Sequence, residues 1–255
     1  MMFASLRDPR ALRAQLARTF LNSLLSTPRG RAHMLTQAAL AESDDEGALF
    51  EHIATRVGDA ELARMVKKHG EDEQRHASLF FGCADRQGVG RPEVPEELRI
   101  LNVLKEHVDA LTRPVESDAD VMEVYLVLQV IEERAIEQFS LIEPVMRRHD
   151  PRTADVLRGV AKDEERHLRY CHAISARYAP SAEIKDARLA ELREIEAHAF
   201  REHQSKMLQY TLDRELLPKA WTWLWRSTFE LIPANKLALP YTRFHGDVGP
   251  QLAAA

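Results

Sequence analysis

Glycine, cysteine and long apolar runs are all scarce in this chain, and each shortage excludes something. There are 10 Gly in 255 residues and almost no alternating β-branched stretches, which leaves a β-sandwich or barrel without its strands and tight turns. The two cysteines, Cys83 and Cys171, form no Cys-x-x-Cys pair, so a four-cysteine zinc or rubredoxin-type iron site is excluded. So few cysteines fit a reducing, cytoplasmic location. No stretch of eighteen apolar residues occurs, so no membrane-spanning helix is expected. The net charge is -5 and no basic stripe carries interleaved aromatics, so nucleic-acid binding is not indicated. No glycine-rich fingerprint for a flavin or nicotinamide is visible.

What is abundant is Ala, Leu, Glu and Arg, the residues that favour helices. The chain is therefore expected to be all-α. Long helices are predicted over 31–57, 60–82, 118–149 (bent near Pro144), 151–178 and 182–212, with a shorter one over 98–111. The tail from 215 is expected to be irregular and apolar, with Trp221, Trp223 and Trp225 close together. The first forty residues hold Arg7, Arg10, Arg13, Arg18, Arg29 and Arg31 against one acid, Asp8, a balance shared by transit peptides. Leu12, Leu16, Phe20 and Leu24 recur at helical spacing there, so a short amphipathic helix packed on the domain is preferred. The expected organisation is an N-terminal amphipathic helix over 1–30, a four-helix bundle over 31–180, and a helical C-terminal extension over 181–255. Packing against the bundle is the expected use of the Trp-rich tail, with a peripheral membrane or partner contact as the alternative.

Two helical hairpins with short turns make a four-helix bundle, and here the hairpins resemble each other. Asp72-Glu73-Gln74-Arg75-His76 recurs 91 residues on as Asp163-Glu164-Glu165-Arg166-His167. Glu and His three apart share one face of a helix. With 25 Glu and 11 His, about one Glu-x-x-His is expected by chance, so a single copy means little. Two copies in the same Asp-Glu-x-Arg-His context, each about fourteen residues past a turn, mean more.

A metal site inside a bundle also needs a carboxylate from each partner helix. Glu42 falls opposite Glu73 and His76 on the stripe of Leu35, Ala38, Ala39, Leu49 and Ile53, with Glu46 one turn on as its rival. In the third long helix, Glu132 shares a face with Tyr125, Leu128, Ala135, Phe139 and Ile142, whereas Glu133 shares one with Gln129, Glu137 and Ser140. Periodicity therefore predicts Glu132 inside and Glu133 in water. Four inward carboxylates in a dry core are ruinous without compensation, and two divalent cations offset them. The predicted ligands are Glu42, Glu73, His76, Glu132, Glu164 and His167. Asp72 and Asp163 are expected to accept the other ring N–H of the histidine on the opposite hairpin, with Arg75 and Arg166 holding those carboxylates. His69, one turn before Glu73 on the same stripe, is read as a packing or solvated histidine with an extra ligand as the alternative, and Cys171 as a small buried filler.

Over residues 31–178 these motifs resemble the ferritin-like superfamily of di-iron carboxylate proteins. The segment from Ala41-Glu42-Ser43 to Glu73-Gln74-Arg75-His76-Ala77 and Phe80-Phe81 is similar to the rubrerythrin domain. Ile131-Glu132, with Ala161-Lys162-Asp163-Glu164-Glu165-Arg166-His167, is similar to its second half. The doubled Asp-Glu-x-Arg-His also resembles bacterial multicomponent di-iron monooxygenases. Ile131-Glu132-Glu133-Arg134, with Glu137 and Phe139, resembles the non-haem tRNA hydroxylases. Aldehyde-deformylating oxygenases are a more distant likeness. The chain departs from rubrerythrins at Ala135, where they carry a further Glu, and it lacks their rubredoxin module. The resemblance implies a ferritin-like four-helix bundle holding two Fe ions (Fe/Mn or Mn being the variants). It further implies a homodimeric oxidase or monooxygenase using O2, a small organic substrate and an external electron donor. A rubrerythrin-like peroxidase or ferroxidase, and a non-catalytic interaction module, are the alternatives.

Overall fold

In the computed structural model, residues 9–43 and 46–231 are described, with side chains placed over 15–43 and 49–230. Among them there are helices and turns and no strand. The helices are α1 Pro9–Leu25, α2 Pro28–Ser43, α3 Glu46–Arg56, α4 Ala60–Asp85, α5 Ile100–Lys105, α6 Asp118–His149, α7 Pro151–Tyr178, α8 Ala182–Asp213 and α9 Lys219–Leu231.

Local chemistry sets most of these ends. The Asp59 carboxylate accepts from the backbone N–H of Glu61 and Leu62 at 2.8 and 3.0 Å and starts α4. Ser117 and Asp120 form a reciprocal capping box at the start of α6. Asp150 accepts from Thr153 N–H at 3.1 Å and is followed by Pro151, whose missing N–H costs nothing at the first helical position. Ser181 accepts from Ile184 N–H at 3.3 Å and starts α8. Pro144 lies inside α6, which runs on to His149.

The helix expected over 31–57 is described as α2 and α3, and residues 44–45 between them lie outside the described residues. Two segments differ from the sequence reading. The helix expected over 98–111 is a 3-10 turn, Glu96–Leu98, followed by the short α5. The tail expected to be irregular contains α9, in which Trp225 is buried against Phe20 and Phe229, with ring centroids 5.3 and 5.7 Å away. Trp223 is 71% exposed, so the tryptophans do not share one environment. Leu12 and Leu231, and the tail residues Leu237 and Leu239, lie outside the described side chains.

α6 packs along α7, α2 and α3 pack on α4, α4 also meets α7, and α8 lies across α6. One apolar cluster holds Phe50, Ile53, Tyr125, Leu128 and Ile174. A second holds Leu35, Phe80, Phe139, Met146 and Leu157. On α4, α6 and α7 the polar residues of interest fall between these two clusters. Close approach is built in at Gly70, where an added Cβ would come within 2.8 Å of Phe50 Cβ. No described helix is long and apolar enough to cross a membrane.

One expectation for α6 is overturned. Glu133 is fully buried, not in water, and Glu137 is buried as well. Arg193 on α8 donates to Glu133 at 2.9 and 2.6 Å, and Gln129 donates at 2.9 Å. Arg134 pairs with Glu196 at 3.0 Å and with Glu137 at 2.7 Å, while Arg188 pairs with Glu123. The polar face of α6 exists to receive α8, and these charges neutralise one another where water is excluded.

Candidate metal centre

Four helices bring the sequence-predicted donors to one buried place: Glu42 from α2, Glu73 and His76 from α4, Glu132 from α6, and Glu164 and His167 from α7. His167 Nδ1 lies 2.9 Å from Glu73 Oε1, 2.8 Å from Glu164 Oε2 and 3.6 Å from Glu132 Oε1. His76 Nδ1 lies 3.2 Å from Glu164 Oε1 and 3.5 Å from Glu42 Oε2. The rival carboxylate, Glu46, lies outside the described side chains.

Two groups of these residues place ligand atoms within 4.8 Å of one another and can hold a metal ion. One is Glu42, Glu73 and His76; the other is Glu73, Glu132, His167 and His69. Glu73 belongs to both. Of the alternatives the sequence left for His69, packing and ligation are both compatible with its position, and solvation is not. The side chain is fully buried, with Nε2 2.8 Å from Glu132 Oε1 and 3.2 Å from Glu73 Oε1, and it stacks on His167 at 4.1 Å between centroids. The available signal was its spacing: His69 and Glu73 are four apart, one turn, on the stripe that carries Glu73 and His76. A third group, His107, His198 and Glu202, lies at the surface.

The donor atoms are close but badly aligned for one another. Glu73 Oε1, both Glu164 oxygens, His76 Nδ1 and His167 Nδ1 are buried without a hydrogen bond. Buried polar atoms left unpaired are costly, and metal ions held by the two groups would give Glu73, His76 and His167 the partners they lack. Electrostatics point the same way. Burial, and then the adjacent Glu73, raise the Glu42 carboxyl well above the usual range. Burial, with Glu132 and Glu73 nearby, pushes Glu164 up to about 7. Burial also opposes ionisation of Glu73, but contacts with Glu42, His167 and His69 outweigh it and hold that carboxyl low. Burial lowers the basicity of His167, and the carboxylates of Glu132, Glu164 and Glu73 more than reverse this. Four carboxylates cannot all ionise in so small a space unless cations replace the protons.

Around this core is a closed ring of charges. Arg75 donates to Asp72 at 2.9 Å and to Asp163 at 2.6 Å; Arg166 donates to Asp72 and pairs with Asp163, both at 2.7 Å. Asp72 approaches His167 Nε2 at 3.5 Å, and Asp163 approaches His76 Nε2 at 3.3 Å. Each aspartate therefore reaches the histidine of the other hairpin. The arrangement turns both Nδ1 atoms toward the carboxylates. Cys171 is buried and free, and burial raises its thiol pKa well above the ordinary value.

A cavity of about 360 Å³ adjoins the carboxylates, and Glu42, Glu73 and Glu132 form part of its wall. Ala38 and Ala135 also line it, whereas Ala39 is not among its lining residues and packs in the apolar core with Leu35 and Phe80. Comparison with protein-family models, curated proteins and solved structures gives no match for the chain, so its functional reading rests on this geometry.

Proposed function

We propose that α2, α4, α6 and α7 form a ferritin-like four-helix bundle, and that the protein is a non-haem di-iron (or iron/manganese) oxidoreductase. It would use O2 and an external electron donor to oxidise an organic molecule. The observation that carries this reading is the set of convergent, buried, unpaired donor atoms on Glu73, His76, Glu164 and His167, of which Glu73 reaches the wall of a mostly apolar cavity beside Glu42 and Glu132.

Glu42 and His76 would hold one ion, and Glu132, His167 and His69 the other. Glu73 lies in both groups and would be available to either ion. When bound, such a pair of ions supplies electrons and Lewis acidity to O2. The chain's own residues do the rest. Asp72 and Asp163 fix the ring orientation of His167 and His76. Arg75 and Arg166 help hold those carboxylates ionised: burial raises the Asp72 carboxyl, and hydrogen bonds from Arg75, Lys68 and Arg166 more than reverse that. Leu128, Ile131 and Phe139 wall the cavity beside Glu132 and keep water away. Ala135 leaves open the position where a further carboxylate would stand in a rubrerythrin-like peroxidase. The test is to load the protein with iron, reduce it anaerobically, and mix it separately with O2 and with hydrogen peroxide, watching absorption. Fast reaction with O2 and slow peroxide turnover support the reading. Fast peroxide reduction with sluggish O2 reaction moves the protein to the peroxidase class. A folded chain that takes up no metal makes it a non-catalytic module.

A further inference from the structure

The cavity beside the carboxylates has a second polar feature, remote from them. Its wall is mostly apolar and is drawn from eight helices, for example Phe20 on α1, Ala38 on α2, Leu101 on α5, Ala135 on α6, Leu157 on α7 and Met207 on α8. Set into it, besides Glu73 Oε1, are further buried polar atoms with no hydrogen bond, among them His33 Nδ1, Gln138 Nε2, His203 Nδ1 and Trp225 Nε1. The α2–α8 wall that carries both histidines is held by its own contacts. His33 stacks on Tyr210 at 5.5 Å, and Gln37 donates to Met207 Sδ at 2.9 Å. Gln138 is six residues past Glu132 on α6, and His33 nine before Glu42 on α2. At 1.5 Å per residue those offsets are about 9 and 13 Å.

The charged residues of the wall are already engaged. Arg134 is paired with Glu196 and Glu137, and Arg99 has partners of its own. Arg18 is exposed. Burial lowers both His33 and His203 to about 4, so each is neutral near pH 7. Among the described residues a buried anion would find no unpaired buried cation here, and it would face Glu42, Glu73 and Glu132 at the far end. A hydroxyl or carbonyl would find unpaired partners.

We propose that this cavity takes a neutral, mainly apolar molecule bearing one hydroxyl or carbonyl group. That group sits among His33, Gln138 and His203, and the opposite end lies against Glu42, Glu73 and Glu132. Benzene, with six carbons, occupies a dry cavity of about 150 Å³; in proportion, about 360 Å³ holds about 14 non-hydrogen atoms. The carbon oxidised is then about 9 to 13 Å from the polar group. The placement of that reacting end rests on the di-metal reading; the binding does not.

The test is calorimetric titration of the full chain, without reductant, with 1-decanol and with decanoate at pH 7.5, alongside metal analysis of the same samples. Decanol should bind once per chain, and decanoate at least tenfold more weakly. His203→Phe should weaken decanol about three- to tenfold, the worth of one hydrogen bond. Ala135→Phe should weaken it more than tenfold by filling the cavity, and Ala38→Leu serves the same purpose if Ala135→Phe does not fold. Absence of one-to-one decanol binding, or decanoate binding as tightly as decanol, overturns the inference. So does unchanged affinity in a folded cavity-filling variant. A chain that carries metal but binds no decanol refutes only this inference. One that binds decanol but no metal refutes only the metal reading.

Discussion

Replacing Glu133 by Gln tests the whole rotational setting of α6. Glu133 is fully buried and receives two hydrogen bonds from Arg193, at 2.9 and 2.6 Å, across the α6–α8 interface. The substitution removes the negative charge and leaves the guanidinium without its carboxylate. Breaking a buried pair from one side costs about 3–5 kcal/mol. The Arg193 side chain keeps 16% exposure and has other contacts, so the lower end applies, about 3 kcal/mol. For a chain of this size each kcal/mol lowers Tm by about 2–4 °C, which predicts a fall of about 6–12 °C. Differential scanning calorimetry reads it, and metal content should not change. Replacing both partners with apolar residues, Glu133→Leu with Arg193→Met, should restore most of the loss, because the desolvation cost of both charges disappears together. Glu132→Gln should do the opposite of Glu133→Gln, lowering metal content with a smaller effect on Tm. If Glu133→Gln empties the site while Glu132→Gln leaves it loaded, α6 is rotated by one position and the assignment of its inner face is wrong.

Other outcomes follow from the same geometry. Glu73→Ala and His167→Ala should each lower bound metal from about two per chain, the number set by a paired-carboxylate bundle site, as read by elemental analysis. Unchanged content in both removes the site. His69→Ala should weaken one of two binding steps in a metal titration and spare the other, because His69 belongs to only one donor group; equal weakening of both steps, or of neither, contradicts that assignment. Gly70→Ala should destabilise by about 1–3 kcal/mol in urea unfolding, since its Cβ would stand 2.8 Å from Phe50 Cβ; a stability gain would show that Phe50 gives way. His33 and His203 are held near 4 by burial, below their unfolded value of 6.5. The unfolded chain therefore binds more protons below that value. Their share of stability is complete above pH 6.5 and is lost as pH falls toward 4, up to about 2–3 kcal/mol each. The urea midpoint of His203→Phe should fall less between pH 7 and pH 5 than that of the unaltered chain, and an equal fall refutes the assignment.

Much of this protein is determined by short-range chemistry, and that part was legible in the sequence. Asp59, Ser117, Asp150 and Ser181 begin their helices by accepting backbone N–H groups a few residues away, so turns and helix starts could be read directly. The doubled Asp-Glu-x-Arg-His could also be read, because three residues along a helix always bring two side chains to one face. The structure gathers Glu42, Glu73 and His76 in one donor group and Glu73, Glu132 and His167 in another, leaves Glu164 beside both histidines but in neither group, and crosses each aspartate to the opposite histidine. What periodicity could not decide was what lies against the second face of a helix. Glu133 looked solvated because its neighbours on α6 are polar, and only the crossing of α8 with Arg193 makes that face an interior. His69 was undecided for a similar reason: its stripe pointed inward, but its partners, Glu132 and His167, come from two other helices. The cavity is assembled from eight helices, many of them distant in sequence, so no local pattern announces it. A helix carries the record of its own faces, and the identity of the neighbour on each face is a property of the packed chain alone.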